Sequence, residues 1–276
     1  MLLEAHGIRV GYDLYGAGAA TLALLHAYPF SRGQWRAQAE ALARSLALRV
    51  VALDLTGCGE SSDSADPITV ERMADDARAL LDALGAGRPG YPAIIGGLSL
   101  GGYVALAAMR RYPERVSGLI LADTRASADT PEGKAGREAT AQFVTQNGPG
   151  ALFDRDVPKL LSNRILTRRP EIVAQARALA ENNTSSGLAA VARGMALRPD
   201  ATPTLPDIAC PTLILVGDQD AITPVADARV LFERIPHTEL EVIEDAGHLS
   251  NLERADLVTD RMATFLRERL GVAERA

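Results

Sequence analysis

Gly97-Leu98-Ser99-Leu100-Gly101 lies between an apolar run, Ala93-Ile94-Ile95-Gly96, and a stretch of helical character that begins Gly102-Tyr103-Val104-Ala105-Leu106. The pattern places a serine on a strand-to-helix turn. A side chain there is held on a sharp bend at the carboxyl edge of a sheet, and glycines two residues to each side let strand and helix approach closely around it. The same five residues also fit a plainer reading, a glycine-rich turn in which Ser99 only caps the following helix. Acyl chemistry needs more than the serine. It needs a base to take the hydroxyl proton, a carboxylate to orient that base and donors for the developing oxyanion.

Candidates for each follow later in the chain. Residues 211–217, Pro-Thr-Leu-Ile-Leu-Val-Gly, read as a buried strand with proline only at its first position, and they run into Asp218-Gln219-Asp220. Residues 240–243 read as another strand, followed by Asp245-Ala246-Gly247-His248 and then by helical periodicity over 249–270. A histidine therefore sits on the last loop. Three aspartates lie near strand ends and are candidates to orient it: Asp218, Asp220, and Asp123 after the strand at 118–121. The chain order serine, aspartate, histidine differs from the orders of the two best-known serine protease folds.

The rest of the chain alternates in the same sense. A β-rich start over 2–15 leads to strand signals at 21–25, 50–55, 93–98 and 116–122 with helical stretches between, which implies a mostly parallel sheet. From 125 to 205 strand signals stop, and helical stretches such as 137–145 and 172–181 are separated by Gly148-Pro149-Gly150 and Arg169-Pro170. Pro203, Pro206 and Pro211 mark the return to the sheet. The expectation is an α/β core formed by 1–124 and 206–276, with a helical cap at 125–205.

At this point the sequence resembles the α/β-hydrolase superfamily along nearly its whole length. His26-Ala27-Tyr28-Pro29, after the strand at 21–25, is similar to the family's His-Gly-aromatic-Pro segment, with Ala27 in place of the usual glycine. Asp54-Leu55-Thr56-Gly57-Cys58-Gly59-Glu60-Ser61 is similar to its Asp-x-x-Gly-x-Gly-x-Ser loop, and Gly217-Asp218-Gln219-Asp220 and Ala246-Gly247-His248 match its acid and histidine motifs. The resemblance implies an eight-stranded, mostly parallel sheet with a cap inserted after the sixth strand. It implies Ser99 as nucleophile, His248 as base and Asp220 as the orienting acid, with Asp123 as the alternative one strand earlier. It further implies an oxyanion hole made of the backbone N–H groups of Tyr28 and Leu100. His26 then holds loops by hydrogen bonding, and His6 and His237 are surface residues.

Other chemistries find no support. The four histidines show no metal-ligand spacing, so no metal and no cofactor are implied, and Gly96-Gly97 with Gly101-Gly102 does not form a dinucleotide fingerprint. A formal net charge of −6 without a basic stripe argues against nucleic acid and anionic membranes as partners. Two distant cysteines, Cys58 and Cys210, suggest no disulfide framework, and the amino-terminal residues carry no charged-then-apolar leader, so a cytoplasmic location is expected.

The expected partner is a small-molecule ester or lactone. The cap carries 11 Lys and Arg against 8 Asp and Glu, while the remainder is acidic, and Arg125 just past a strand end is a candidate substrate contact. Tyr28 is another, and Phe143, Leu152 and Leu188 lead the cap's apolar residues as candidates for an acyl pocket, with Phe153, Leu160, Leu161 and Met195 behind them. Ordinary packing is the competing role for all of them. Within the superfamily the chain looks most like the group of carboxylesterases, 3-oxoadipate enol-lactonases and cofactor-free perhydrolases. The expected activity is hydrolysis of carboxylic esters of small to medium acyl chain through an acyl-enzyme on Ser99; lactone hydrolysis on the same triad, or a slow-turnover ligand receptor on the same fold, are the alternatives.

Overall fold

The computed structural model describes every residue except His6, Pro89, Gly90, Pro92 and Ala276, so the surface reading of His6 lies outside the described residues. Eight strands form one sheet: β1 (Leu2–Ala5), β2 (Ile8–Tyr15), β3 (Ala20–Leu25), β4 (Leu48–Leu53), β5 (Ala93–Leu98), β6 (Val116–Ala122), β7 (Thr212–Gly217) and β8 (Thr238–Ile243), in the order β1-β2-β4-β3-β5-β6-β7-β8. β1 pairs antiparallel with β2, and β2 with β4; every later pairing is parallel. This is the α/β-hydrolase fold, its sheet mostly parallel as the alternating strand and helix signals foretell and eight-stranded as the resemblance implies.

Helices cover both faces because successive strand residues point to opposite sides. On β3, Ala23 and Leu25 enter one core with residues of α2 (Val70–Ala83) and α3 (Leu100–Arg111), whereas Leu22 and Leu24 enter the other with Ala39 and Leu42 of α1 (Arg36–Ser45). Between β6 and β7 lie only helices: α4 (Pro131–Leu160), α5 (Asn163–Arg168), α6 (Pro170–Glu181) and α7 (Ser185–Ala196), then a 3₁₀ turn at Thr202–Asp207. α8 (Val225–Arg234) joins β7 to β8, and α9 (Ser250–Glu253) and α10 (Ala255–Glu268) end the chain, α10 lying against α1 on the second face.

Several boundaries differ from the sequence reading. β4 starts at Leu48 and stops at Leu53; Leu55 is buried and so reads as strand, but the chain has already turned, with Cys58 N donating to Leu55 O at 2.8 Å. Gly148-Pro149-Gly150 is a kink inside α4 and not a loop, because Gly148 leaves helical space (φ 85°, ψ 168°) and Pro149 starts the second half with its fixed φ. α7 starts at Ser185, capped by Thr184 Oγ1 accepting from Gly187 N at 3.0 Å. The expected helix at 249–270 is two helices, broken where Arg254 adopts φ −129°, ψ 51°.

The helices between β6 and β7 are tied to the sheet loops by Asn183. Its amide donates to Pro29 O at 2.8 Å and accepts from Gly59 N at 2.7 Å, which joins them to the loops after β3 and β4. No helix among the described residues is long and apolar enough to cross a membrane.

Candidate active site

Ser99 follows β5 directly and has φ 53°, ψ −109°, a conformation that costs a non-glycine residue on the order of 1–3 kcal/mol. Surrounding bonds impose it: Ser99 N donates to Ala122 O at 3.0 Å, and Ser99 O accepts from Thr124 Oγ1 at 2.9 Å and Tyr103 N at 3.1 Å. Glycines are required beside it. A Cβ on Gly97 would lie 2.2 Å from Gly101 O, and one on Gly101 would lie 2.2 Å from Leu25 O, so a side chain at either would push α3 off the sheet.

The loops after β7 and β8 bring Asp220 and His248 together. His248 Nδ1 lies 2.9 Å from Asp220 Oδ2, with both side chains almost fully buried. Asp220 is itself fixed on four sides: Oδ1 accepts from the amides of Ile222 at 2.8 Å and Thr223 at 2.9 Å, and Oδ2 also accepts from Thr223 Oγ1 at 2.7 Å. Burial pushes its carboxyl up, but His248 and the Thr223 bonds outweigh that and hold it below the usual range. An ionised Asp220 keeps the His248 proton on Nδ1, leaving Nε2 as the acceptor toward the cavity that both His248 and Ser99 line.

The other aspartates make different contacts. Asp123, fully buried, accepts from Gly217 N at 2.8 Å and from Ser250 Oγ. Burial first and the neighbouring Asp220 charge second raise its carboxyl well above the usual range, so it does not compete as an ionised partner for His248. Asp218 is exposed and accepts from Ala246 N at 3.2 Å, in the turn between β7 and the histidine loop.

His26 links loops. Leu55 N donates to Nε2 at 2.9 Å and Nδ1 faces Ala27 O at 2.9 Å, so the ring is a neutral brace, and burial lowers its pKa. Ala27 is accommodated without a left-handed backbone: it is absent from the positive-φ residues, donates to Gln34 Oε1 at 2.8 Å and accepts from Phe30 N at 2.9 Å. The amides of Tyr28 and Leu100 carry no hydrogen bond to protein among the described residues. Leu100 is the first residue of α3, so its N–H is one of the unpaired amides at a helix start.

A cavity of about 560 Å³ opens over these groups. Tyr28, Leu160 and Met195 of the expected contacts line it. Arg125, Phe143, Leu152 and Leu188 do not. Arg125 turns to Asp129 at 3.2 Å and Asp227 at 4.0 Å, Leu152 and Leu188 are fully buried in the core on one sheet face, and Phe143 lies under the Arg155 guanidinium at 4.6 Å. The apolar cap residues chosen from sequence are largely those that helix packing buries. The sequence reading missed Tyr103, Arg137, Arg155, Lys159 and Ile222, which all line the cavity. Tyr103, one helical turn after Ser99, and Ile222, two residues after Asp220, were accessible from spacing; the basic residues depend on the path of α4.

The model of the Alpha/beta hydrolase family matches residues 22–261. The chain belongs to that family. This hydrolase is 32% identical over 205 residues to 3-oxoadipate enol-lactonase 2 of Acinetobacter baylyi, an alignment spanning 74% of this chain and 73% of that one. A thermophilic esterase from Thermogutta terrifontis, solved with malate bound, is 39% identical and superposes with a TM-score of 0.90 over 97% of this chain and 96% of its own. The enol-lactonase from Burkholderia xenovorans LB400 is 28% identical, with a TM-score of 0.87 over 97% of this chain and 100% of its own. Among the described residues of the hydrolase, no three His, Cys, Asp or Glu side chains are grouped to hold a metal ion.

Proposed function

We propose that the hydrolase cleaves its substrates through an acyl-enzyme on Ser99, with His248 as general base and acid, Asp220 as its orienting carboxylate, and the Tyr28 and Leu100 amides as the oxyanion hole. As an alpha/beta hydrolase whose relatives are named as esterases and enol-lactonases, the chain is a hydrolase of carboxylic esters or lactones. The observation that carries the finer reading is the Asp220–His248 pair, built on the loops after β7 and β8, with His248 lining one cavity together with the strained Ser99.

In the first step Ser99 Oγ attacks the carbonyl carbon as its proton passes to His248 Nε2, and the oxyanion forms against the amides of Tyr28, after β3, and Leu100, at the start of α3. The imidazolium is stabilised by Asp220. The tetrahedral species collapses, the alkoxide takes the His248 proton and leaves, and the acyl group stays on Ser99; from a lactone the alcohol remains tethered to that acyl group. Water, deprotonated by His248, then attacks the acyl carbonyl, and collapse releases the acid and restores the serine. A cavity of this size, roofed by Leu160 and Met195, suits small to medium acyl chains.

The test is hydrolysis of short, medium and long p-nitrophenyl esters by wild type and Ser99→Ala. Turnover highest on short and medium chains and reduced by about 10⁴ or more in Ser99→Ala supports the reading. Near-wild-type activity of Ser99→Ala contradicts it.

A further inference from the structure

We propose that the cavity over Ser99 holds a carboxylate-binding subsite made by Arg137, Lys159 and the Tyr28 hydroxyl, so that the preferred substrates are esters or lactones whose acyl portion bears a free carboxylate. The inference rests on Ser99 being the nucleophile. Three cationic side chains, Arg137, Arg155 and Lys159, line the cavity against one carboxylate, Asp156. Arg155 is already engaged: its Nε and Nη2 lie 2.8 and 2.7 Å from Asp156, and its guanidinium covers the Phe143 ring.

Arg137 and Lys159 are not neutralised in this way. Arg137 uses only Nε, on Asp129 Oδ2 at 2.9 Å, and that single carboxylate is shared with Arg125 at 3.2 Å and Arg198 at 3.3 Å. Asp129 thus faces three guanidiniums, of which Arg125 has a second carboxylate, Asp227, at 4.0 Å. The Arg137 terminal nitrogens and Lys159 Nζ have no acceptor among the described residues.

An independent observation marks the same wall. The Tyr28 hydroxyl is buried with no hydrogen-bond partner, although the residue lines the cavity. Buried polar groups are normally satisfied, and one that is not is a place where a ligand supplies the missing partner. Guanidinium, ammonium and phenol are used here as donors, and the complement of a donor set with surplus positive charge is an anionic group with two acceptor oxygens. A neutral alkyl chain offers those groups nothing. The carboxylate takes no part in bond making; it places the acyl carbonyl relative to Ser99, and the dicarboxylic product keeps the same anchor until it leaves.

The experiment compares kcat/KM for monomethyl glutarate with that for its neutral near-isostere methyl valerate, at fixed ionic strength, in wild type, Arg137→Gln, Lys159→Gln and Tyr28→Phe. Wild type is expected to favour the half-ester. The half-ester to neutral-ester ratio is expected to fall at least about tenfold in Arg137→Gln, the loss typical of a charge-assisted hydrogen bond, and severalfold in the other two. Added salt should lower the wild-type ratio. Should Arg137→Gln fail to fold, exposed Lys159 and the near-isosteric Tyr28→Phe carry the test. A wild-type ratio at or below one, or a ratio unchanged by these variants, overturns the subsite while leaving Ser99 chemistry standing. No Ser99-dependent turnover of either ester or of p-nitrophenyl esters overturns the proposed function and the subsite with it.

Discussion

Replacing Asp220 by Asn changes one oxygen to NH₂ and should nevertheless remove nearly all activity. Two backbone amides, Ile222 and Thr223, point at Oδ1, so the Asn carbonyl oxygen must stay there. The new NH₂ then occupies the Oδ2 position, 2.9 Å from His248 Nδ1. A donor facing Nδ1 requires a lone pair on it, which moves the ring proton to Nε2. Nε2 can then no longer accept the Ser99 proton. Loss of one charge-assisted hydrogen bond would cost roughly 1.5–3 kcal/mol, about 10- to 150-fold. The wrong tautomer with the imidazolium unstabilised costs about 10⁴ in kcat, or about 5.5 kcal/mol. The assay is kcat on p-nitrophenyl acetate from pH 6 to 9, with urea unfolding as a check that the fold persists. A drop of less than about hundredfold in a folded variant would refute the argument that Asp220 fixes the His248 tautomer.

Ser99→Gly should raise the unfolding free energy by about 1 kcal/mol, read as a higher urea midpoint, because glycine relieves the positive-φ strain; a lowered midpoint would mean that the turn is not strained at this residue. Asp123→Asn should become relatively more stabilising as pH rises. The folded Asp123 carboxyl holds its proton at pH values where the unfolded one has lost it, so its contribution is present below the usual carboxylate range and is lost as pH climbs through the raised value. Asn mimics the protonated form, and the Tm difference between variant and wild type should grow from pH 5 to pH 8; a constant or shrinking difference contradicts it.

The placement of Ser99, Asp220 and His248 was legible in the sequence because each part is local. The serine turn needs a strand, two close-packing glycines and a helix, all within ten residues, and Asp220 and His248 each follow a short apolar strand. The choice among Asp218, Asp220 and Asp123 was not fixed by the residues themselves. It depends on which carboxylate reaches His248 across two loops, and Asp220 does. The substrate wall was least legible. Arg137 and Lys159 lie on either side of the Gly148 kink, and both line the cavity through the bend of one helix, which no periodicity encodes. Leu152 and Leu188 were chosen for being apolar, the property that buries them elsewhere. Arg125, next to a strand end, is drawn to Asp129 and Asp227 in a charge network whose members are up to 102 residues apart in sequence.

The central claim is that Ser99 forms the covalent bond to the acyl group. The direct measurement is intact-protein and peptide mass spectrometry after treatment with a p-nitrophenyl alkylphosphonate, which a serine nucleophile attacks with loss of p-nitrophenolate and which then stays on the enzyme. One phosphonyl group per chain is expected, on the peptide containing Ser99, with activity lost in proportion and no labelling of Ser99→Ala. Hydrolysis that persists with Ser99 fully labelled, or stoichiometric labelling of another residue with loss of activity, would contradict the account.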